Sequence, residues 1–170
     1  MRKNNPAAQV AFMGLLFALA IALSVLESWL PAFIAVPGIK LGLSNIVVMY
    51  CVFLLGASGA FTLAVLKALF VLFTRGLIAA ALSGAGGAAS ICVMLLLISM
   101  QKHTASYSLI SMAGAVAHNM GQLALAALLL GTGRIMLYYL PVLFFSGLIM
   151  GMLTAVLLRA VMPYFSKWAK

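Results

Sequence analysis

Apolar residues run through this chain in blocks about as long as a bilayer is thick, broken only by glycines, prolines and isolated charges. The blocks fall at roughly 7–28, 43–57, 58–82, 85–101, 107–130 and 138–162. A helix crossing the hydrocarbon core needs about 20 residues. In lipid each backbone N–H and C=O must find its partner within the protein, so such blocks become helices. The composition leaves no soluble alternative. The chain is 66% hydrophobic and 6% charged, whereas a soluble domain carries about 25% charged residues. The expected fold is all-α, an integral membrane bundle of about six transmembrane helices forming a single domain over 1–170. The second and fourth blocks are short, so five or seven spans are the competing counts. A short block can also start inside a partly buried loop, where protein rather than lipid covers the backbone. Ala20-Ile21-Ala22 resembles a signal-peptidase site. It sits inside the first block rather than after it, so an uncleaved first helix is expected. No internal repeat, linker or low-complexity tract interrupts the pattern.

Charge excludes several functions. The chain has ten Lys and Arg and one acidic residue, Glu27, giving a net charge of +9. Mg²⁺ and Ca²⁺ sites use carboxylates, and glycoside hydrolysis needs a carboxylate pair. Neither can be built from one glutamate. A Ser-His-Asp triad and an aspartate-rich diphosphate site are excluded by the lack of aspartate. The basic residues are scattered at block ends rather than clustered as in a nucleic-acid binder, so no nucleic-acid partner is expected. Cys51 and Cys92 lie in apolar runs and read as buried thiols. No metal site, cofactor or catalytic activity is expected. The cations instead report orientation. With six spans and the N-terminus inside, Arg2, Lys3, Lys102, Arg159, Lys167 and Lys170 lie on the cytoplasmic side, against Lys40 and Arg134 outside, as the positive-inside rule requires. The expected place is the bacterial cytoplasmic membrane, with both termini cytoplasmic.

Four features can carry function. Gly14, Ala18 and Ala22 form a small-xxx-small ladder on the first helix, with Ala7 and Ala11 as an offset pair. Such ladders let helices approach closely in lipid, either within this bundle or against another subunit. Residues 27–45 hold two prolines and two glycines that stop a regular helix, so a re-entrant or interfacial loop is expected there. Lys40 and Asn45 either face a cavity from it or serve locally, Lys40 snorkelling and Ser44 capping the second helix. Lys67 falls mid-span in the third block, where an ionisable side chain costs about 2.5–3.5 kcal/mol on insertion scales. It should face the protein interior or a cavity. Thr74 lies within about 20° of it on the helical wheel and Arg75 about 80° away; Arg75 can also snorkel. In the fifth block Ser111, Gly114, His118 and Gln122 share a face, with Asn119 beside them. They either glue helices together or line a ligand cavity opposite the third helix. Gly84, Gly86 and Gly87 are expected in a short outer turn. The candidate ligand contacts are Lys40, Asn45, Lys67, Arg75, His118, Asn119 and Gln122, and a net-cationic pocket of this kind suits an anionic or amphipathic small molecule.

Four stretches carry a family resemblance: Leu26 to Pro31, Val36 to Val47, Gly114 to Gln122 and Tyr138 to Leu143. Together they resemble the bacterial Gx transporter family, also called heptaprenyl diphosphate synthase component I, over nearly the whole chain. The resemblance implies a fold similar to the substrate-binding S-components of energy-coupling factor transporters. It implies that the first helix, with Gly14, Ala18 and Ala22, docks on a membrane-coupling subunit of an ATPase module. It also implies a ligand near the outer face under the loop at 30–42. The alternative that the family name carries is a non-catalytic accessory subunit of heptaprenyl diphosphate or quinone synthesis.

Overall fold

The computed structural model describes residues 6–29, 42–100, 106–131 and 133–169. These form six helices: α1 (Pro6–Trp29), α2 (Leu43–Leu54), α3 (Gly56–Arg75), α4 (Leu77–Met100), α5 (Tyr107–Leu130) and α6 (Gly133–Ala169). No strand occurs among the described residues. Five of the helices contain segments long and apolar enough to cross a membrane, namely Ala7–Glu27, Gly56–Arg75, Leu77–Met100, Tyr107–Leu130 and Leu137–Ala160. The molecule is a multi-pass, all-α membrane bundle.

The sixth helix, α2, differs in kind. Its 12 residues rise only about 18 Å, against a hydrocarbon core of about 30 Å. Val47, Val48, Met49, Tyr50, Cys51 and Val52 are all buried. Six consecutive buried residues exceed a full helical turn, so protein surrounds α2 on every side. A helix that stops within the membrane needs this cover, because its terminal N–H and C=O groups would otherwise meet hydrocarbon. Leu16 and Ala20 of α1, Ala60 and Leu63 of α3, Ile91 and Met94 of α4, Ile110 of α5 and Leu158 of α6 complete the core around it.

The helices pack antiparallel in chain order, with α4, α5 and α6 the most extensively joined. Small residues set these contacts. A Cβ on Gly121 would come within 2.8 Å of Ala89 Cβ, and one on Gly151 within 2.5 Å of Met112 Cα. Close approach of this kind replaces the hydrophobic drive that helices lack in lipid.

The structure moves one expected turn. Gly84, Gly86 and Gly87 lie inside α4 rather than in a connection, and the break falls at Gly76. Gly76 adopts φ +86°, a conformation that side chains with a Cβ disfavour. Its N–H donates to Leu72 O at 3.1 Å, and its carbonyl accepts from Ala80 N at 3.1 Å. One residue therefore turns α3 into α4. Gly86 is glycine for packing: a Cβ there would meet Gln122 Cγ at 2.7 Å and His118 O at 2.9 Å.

Candidate functional site

The first turn of α2 brings together residues far apart in sequence. Gly42 precedes the helix at φ +70°, and its carbonyl accepts from Asn45 N at 2.8 Å. Its own N–H donates to the Glu27 carboxylate at the end of α1. A carboxylate at a helix N-terminus satisfies an orphan donor and complements the dipole. Glu27 and Gly42 thus tie together the two sides of the segment 30–41.

Lys67 reaches this turn from mid-α3. Its Nζ donates to Ser44 Oγ at 3.0 Å and to Asn45 Oδ1 at 3.4 Å. The two hydrogen bonds partly repay the desolvation of an ammonium group at this depth. Ser44 does not cap the helix, since the α2 N-terminus has no side-chain cap. It serves Lys67 instead.

Beside this cluster lies a cavity of about 30 Å³ between α2, α4, α5 and α6. It is bounded by Gly42, Asn45 and Met49; Ser90 and Met94; Ser111, Gly114, Ala115 and Asn119; and Gly147, Met150 and Thr154. A water needs roughly 10–15 Å³ of such space, so the cavity admits one or two, or a single small functional group. Its hydroxyls divide by use. Thr154 donates back to Met150 O at 2.8 Å. Ser90 and Ser111 are 4% and 3% exposed, and both line the cavity. Their position on its wall places both to engage what enters the cavity. Asn119 donates through Nδ2 to Leu143 O at 2.9 Å and to Ser146 Oγ at 3.4 Å. This anchors its side chain at the cavity wall.

The sequence candidates therefore separate. Asn45, Lys67 and Asn119 gather at or beside the cavity. His118 and Gln122 do not line it. Their Nε2 atoms lie 3.0 Å apart, and both pack against Gly86 of α4. The expectation that this stripe faces the third helix is corrected, because α4 packs between α3 and α5. Arg75 is exposed at the end of α3, and Thr74 is exposed with its hydroxyl donating to Phe70 O at 2.9 Å. Neither joins the cavity. Lys40 lies outside the described residues.

Ser90 and Thr154 were not singled out by the sequence pattern. A signal for Ser90 was present, since Gly86, Ser90 and Met94 recur at helical spacing within α4. It is the same small-and-polar periodicity that marks Ser111, Gly114 and His118.

On α1 the small-residue ladder faces away from the bundle. Gly14, Ala18 and Ala22 are exposed, and a Cβ on Gly14 would meet nothing within 4 Å. The buried face of α1 is Leu16 and Ala20 instead.

Among protein families, the model of heptaprenyl diphosphate synthase component I matches residues 16–161, which include every described residue of the cavity. No curated protein and no solved structure matches the chain. With more than four-fifths of its length in that match, the chain belongs to the heptaprenyl diphosphate synthase component I family.

Proposed function

We propose that this chain is a membrane-embedded, S-component-like subunit that captures a small anionic or amphipathic molecule from outside the cell. It hands the molecule to a membrane-coupling subunit and its ATPase module. The cavity that joins buried Ser90 and Ser111 to the Lys67 cluster at the start of α2 carries this reading. Hydroxyl donors, the Asn45 amide and a nearby ammonium suit a ligand group that accepts hydrogen bonds and bears negative charge. The segment 30–42, tied by Glu27 to Gly42, closes over the ligand, and Lys40 supplies a further contact from it. A ligand larger than one functional group requires α2 to part from α5 and α6. The outward ladder of Gly14, Ala18 and Ala22 is the docking face for the coupling subunit. His118 and Gln122 act on the site through α4–α5 packing. The subunit performs no chemistry. It sits in the bacterial cytoplasmic membrane with both termini inside, as the distribution of Lys and Arg supports.

The family's name favours a second reading, a non-catalytic membrane partner of a prenyl diphosphate synthase. The absence of aspartate leaves Mg²⁺-diphosphate chemistry to another subunit. Purification in mild detergent followed by native mass spectrometry separates the two. A retained anionic small molecule, lost on Lys67→Met, together with a co-purifying ATPase module supports uptake. Co-purification of an aspartate-rich prenyltransferase with no retained small molecule overturns it.

A further inference from the structure

A second site lies on the opposite side of α4, independent of the cavity. Between α3 and α4 runs an open groove of about 230 Å³ lined by apolar side chains. Ala64, Ala68, Gly84 and Ala88 contribute side chains no larger than a methyl group. Val65 and Leu77 stand at its sides, 57% and 74% exposed. The groove extends along α3 from Phe61 to Leu72, a rise of roughly 16 Å at helical pitch.

Arg75 lies in the last turn of α3, just past the groove's lining residue Leu72. It lies between Leu72 and Leu77, both groove residues, within one turn of the Gly76 break. It is exposed. Among the described residues it has no ion pair or hydrogen bond, and the chain's single carboxylate, Glu27, is engaged at Gly42. Arg75 follows the α3 lining residue Leu72 by three positions, on the same helical face as Phe61, Ala68 and Leu72, so a guanidinium without an acid lies just beyond the end of an open apolar groove. Guanidinium presents paired donors that match a phosphate, and the channel matches a hydrocarbon chain.

We infer that the α3–α4 groove is a binding site for an anionic glycerophospholipid, with its phosphate on Arg75 and one acyl chain lying along Ala68 and Gly84. Net negative charge on the headgroup distinguishes the ligand from bulk lipid. The protein carries +9, so a headgroup with its own ammonium gains less at Arg75.

The test uses the full chain, delipidated in detergent and titrated with phosphatidylglycerol or phosphatidylcholine of identical acyl chains. Native mass spectrometry reads the bound lipid. Phosphatidylglycerol adducts are expected in excess by about fivefold, the worth of one cation beside an anionic headgroup. Arg75→Gln, at an exposed position, removes that preference. Ala68→Leu, which fills the trough, removes the adduct while a thermal-melt control reports that the bundle remains folded. Equal binding of the two lipids, or a preference that survives Arg75→Gln, overturns the site. If farnesyl diphosphate displaces phosphatidylglycerol at equal concentration, the groove takes a prenyl chain and the phospholipid assignment fails.

Discussion

Lys67 illustrates how one residue can be legible in kind yet not in partner. A cation ten residues into an apolar run must be turned inward, because hydrocarbon offers it nothing. That much follows from the pattern. Its acceptors, Ser44 and Asn45, lie 23 and 22 positions earlier in sequence and become neighbours only because α2 begins level with the middle of α3. Replacing Lys67 by Met leaves Ser44 and Asn45 without their donor. The expected outcome is loss of the retained anion in native mass spectrometry, with the helical circular dichroism spectrum kept. Gly151 is the residue where packing is least forgiving. A methyl group there would meet Met112 Cα at 2.5 Å and Met112 N at 2.9 Å. Those atoms are backbone and cannot rotate away, so Gly151→Ala forces α5 and α6 apart. Overpacking of this kind costs about 1–3 kcal/mol, and a lowered unfolding midpoint in detergent is the expected result. Gly14→Ala, with open space around it, should leave that midpoint unchanged.

At the scale of elements, α1 and α4 show opposite uses of small residues. The cluster Gly84, Gly86 and Gly87 predicts a turn because glycine punctuates soluble sequences. In a membrane bundle glycine serves equally as a contact point, and Gly86 against Gln122 is that case. The ladder on α1 is also built of small residues but is exposed, and a Cβ on Gly14 would meet nothing within 4 Å among the described residues. Ala18→Leu and Gly14→Leu are therefore expected to leave the isolated protein's thermal stability unaltered and, on the uptake reading proposed above, to abolish co-purification of its coupling subunit. A loss of stability in the isolated chain would return the ladder to internal packing. Periodicity alone does not separate these uses, because it reports which residues share a face and not what lies opposite.

The whole molecule raises the question of orientation. Lys and Arg favour both termini in the cytoplasm, and the antiparallel order of the helices is compatible with this. Although too short to cross, α2 preserves the alternation, since it descends between α1 and α3. Reporter fusions at each terminus should both give cytoplasmic signals. A terminus that reports outside would reverse the proposed entry side for the ligand. The buried position of α2 also has a consequence for motion. Opening the cavity to a larger ligand requires separating a short helix whose surroundings on α5 and α6 include Ser111, Gly114, Gly147 and Thr154, small side chains that offer little interlocking.

The sequence by itself determined the class of the protein. The apolar runs, the single carboxylate and the mid-span Lys67 dictate a helical membrane bundle that cannot build a carboxylate pair, because the solvent each segment prefers is a local property of its composition. It also singles out Asn45, Lys67 and Asn119 as polar groups within apolar runs, since such groups stand out in lipid. Only the tertiary structure decided that α2 is enclosed, that His118 and Gln122 face α4, and that Ser90 and Ser111 share a cavity. Those outcomes depend on the rotation and depth of each helix relative to its neighbours. Close packing of glycines against backbone sets them, and such contacts join residues far apart in sequence whose spacing leaves no mark on the chain.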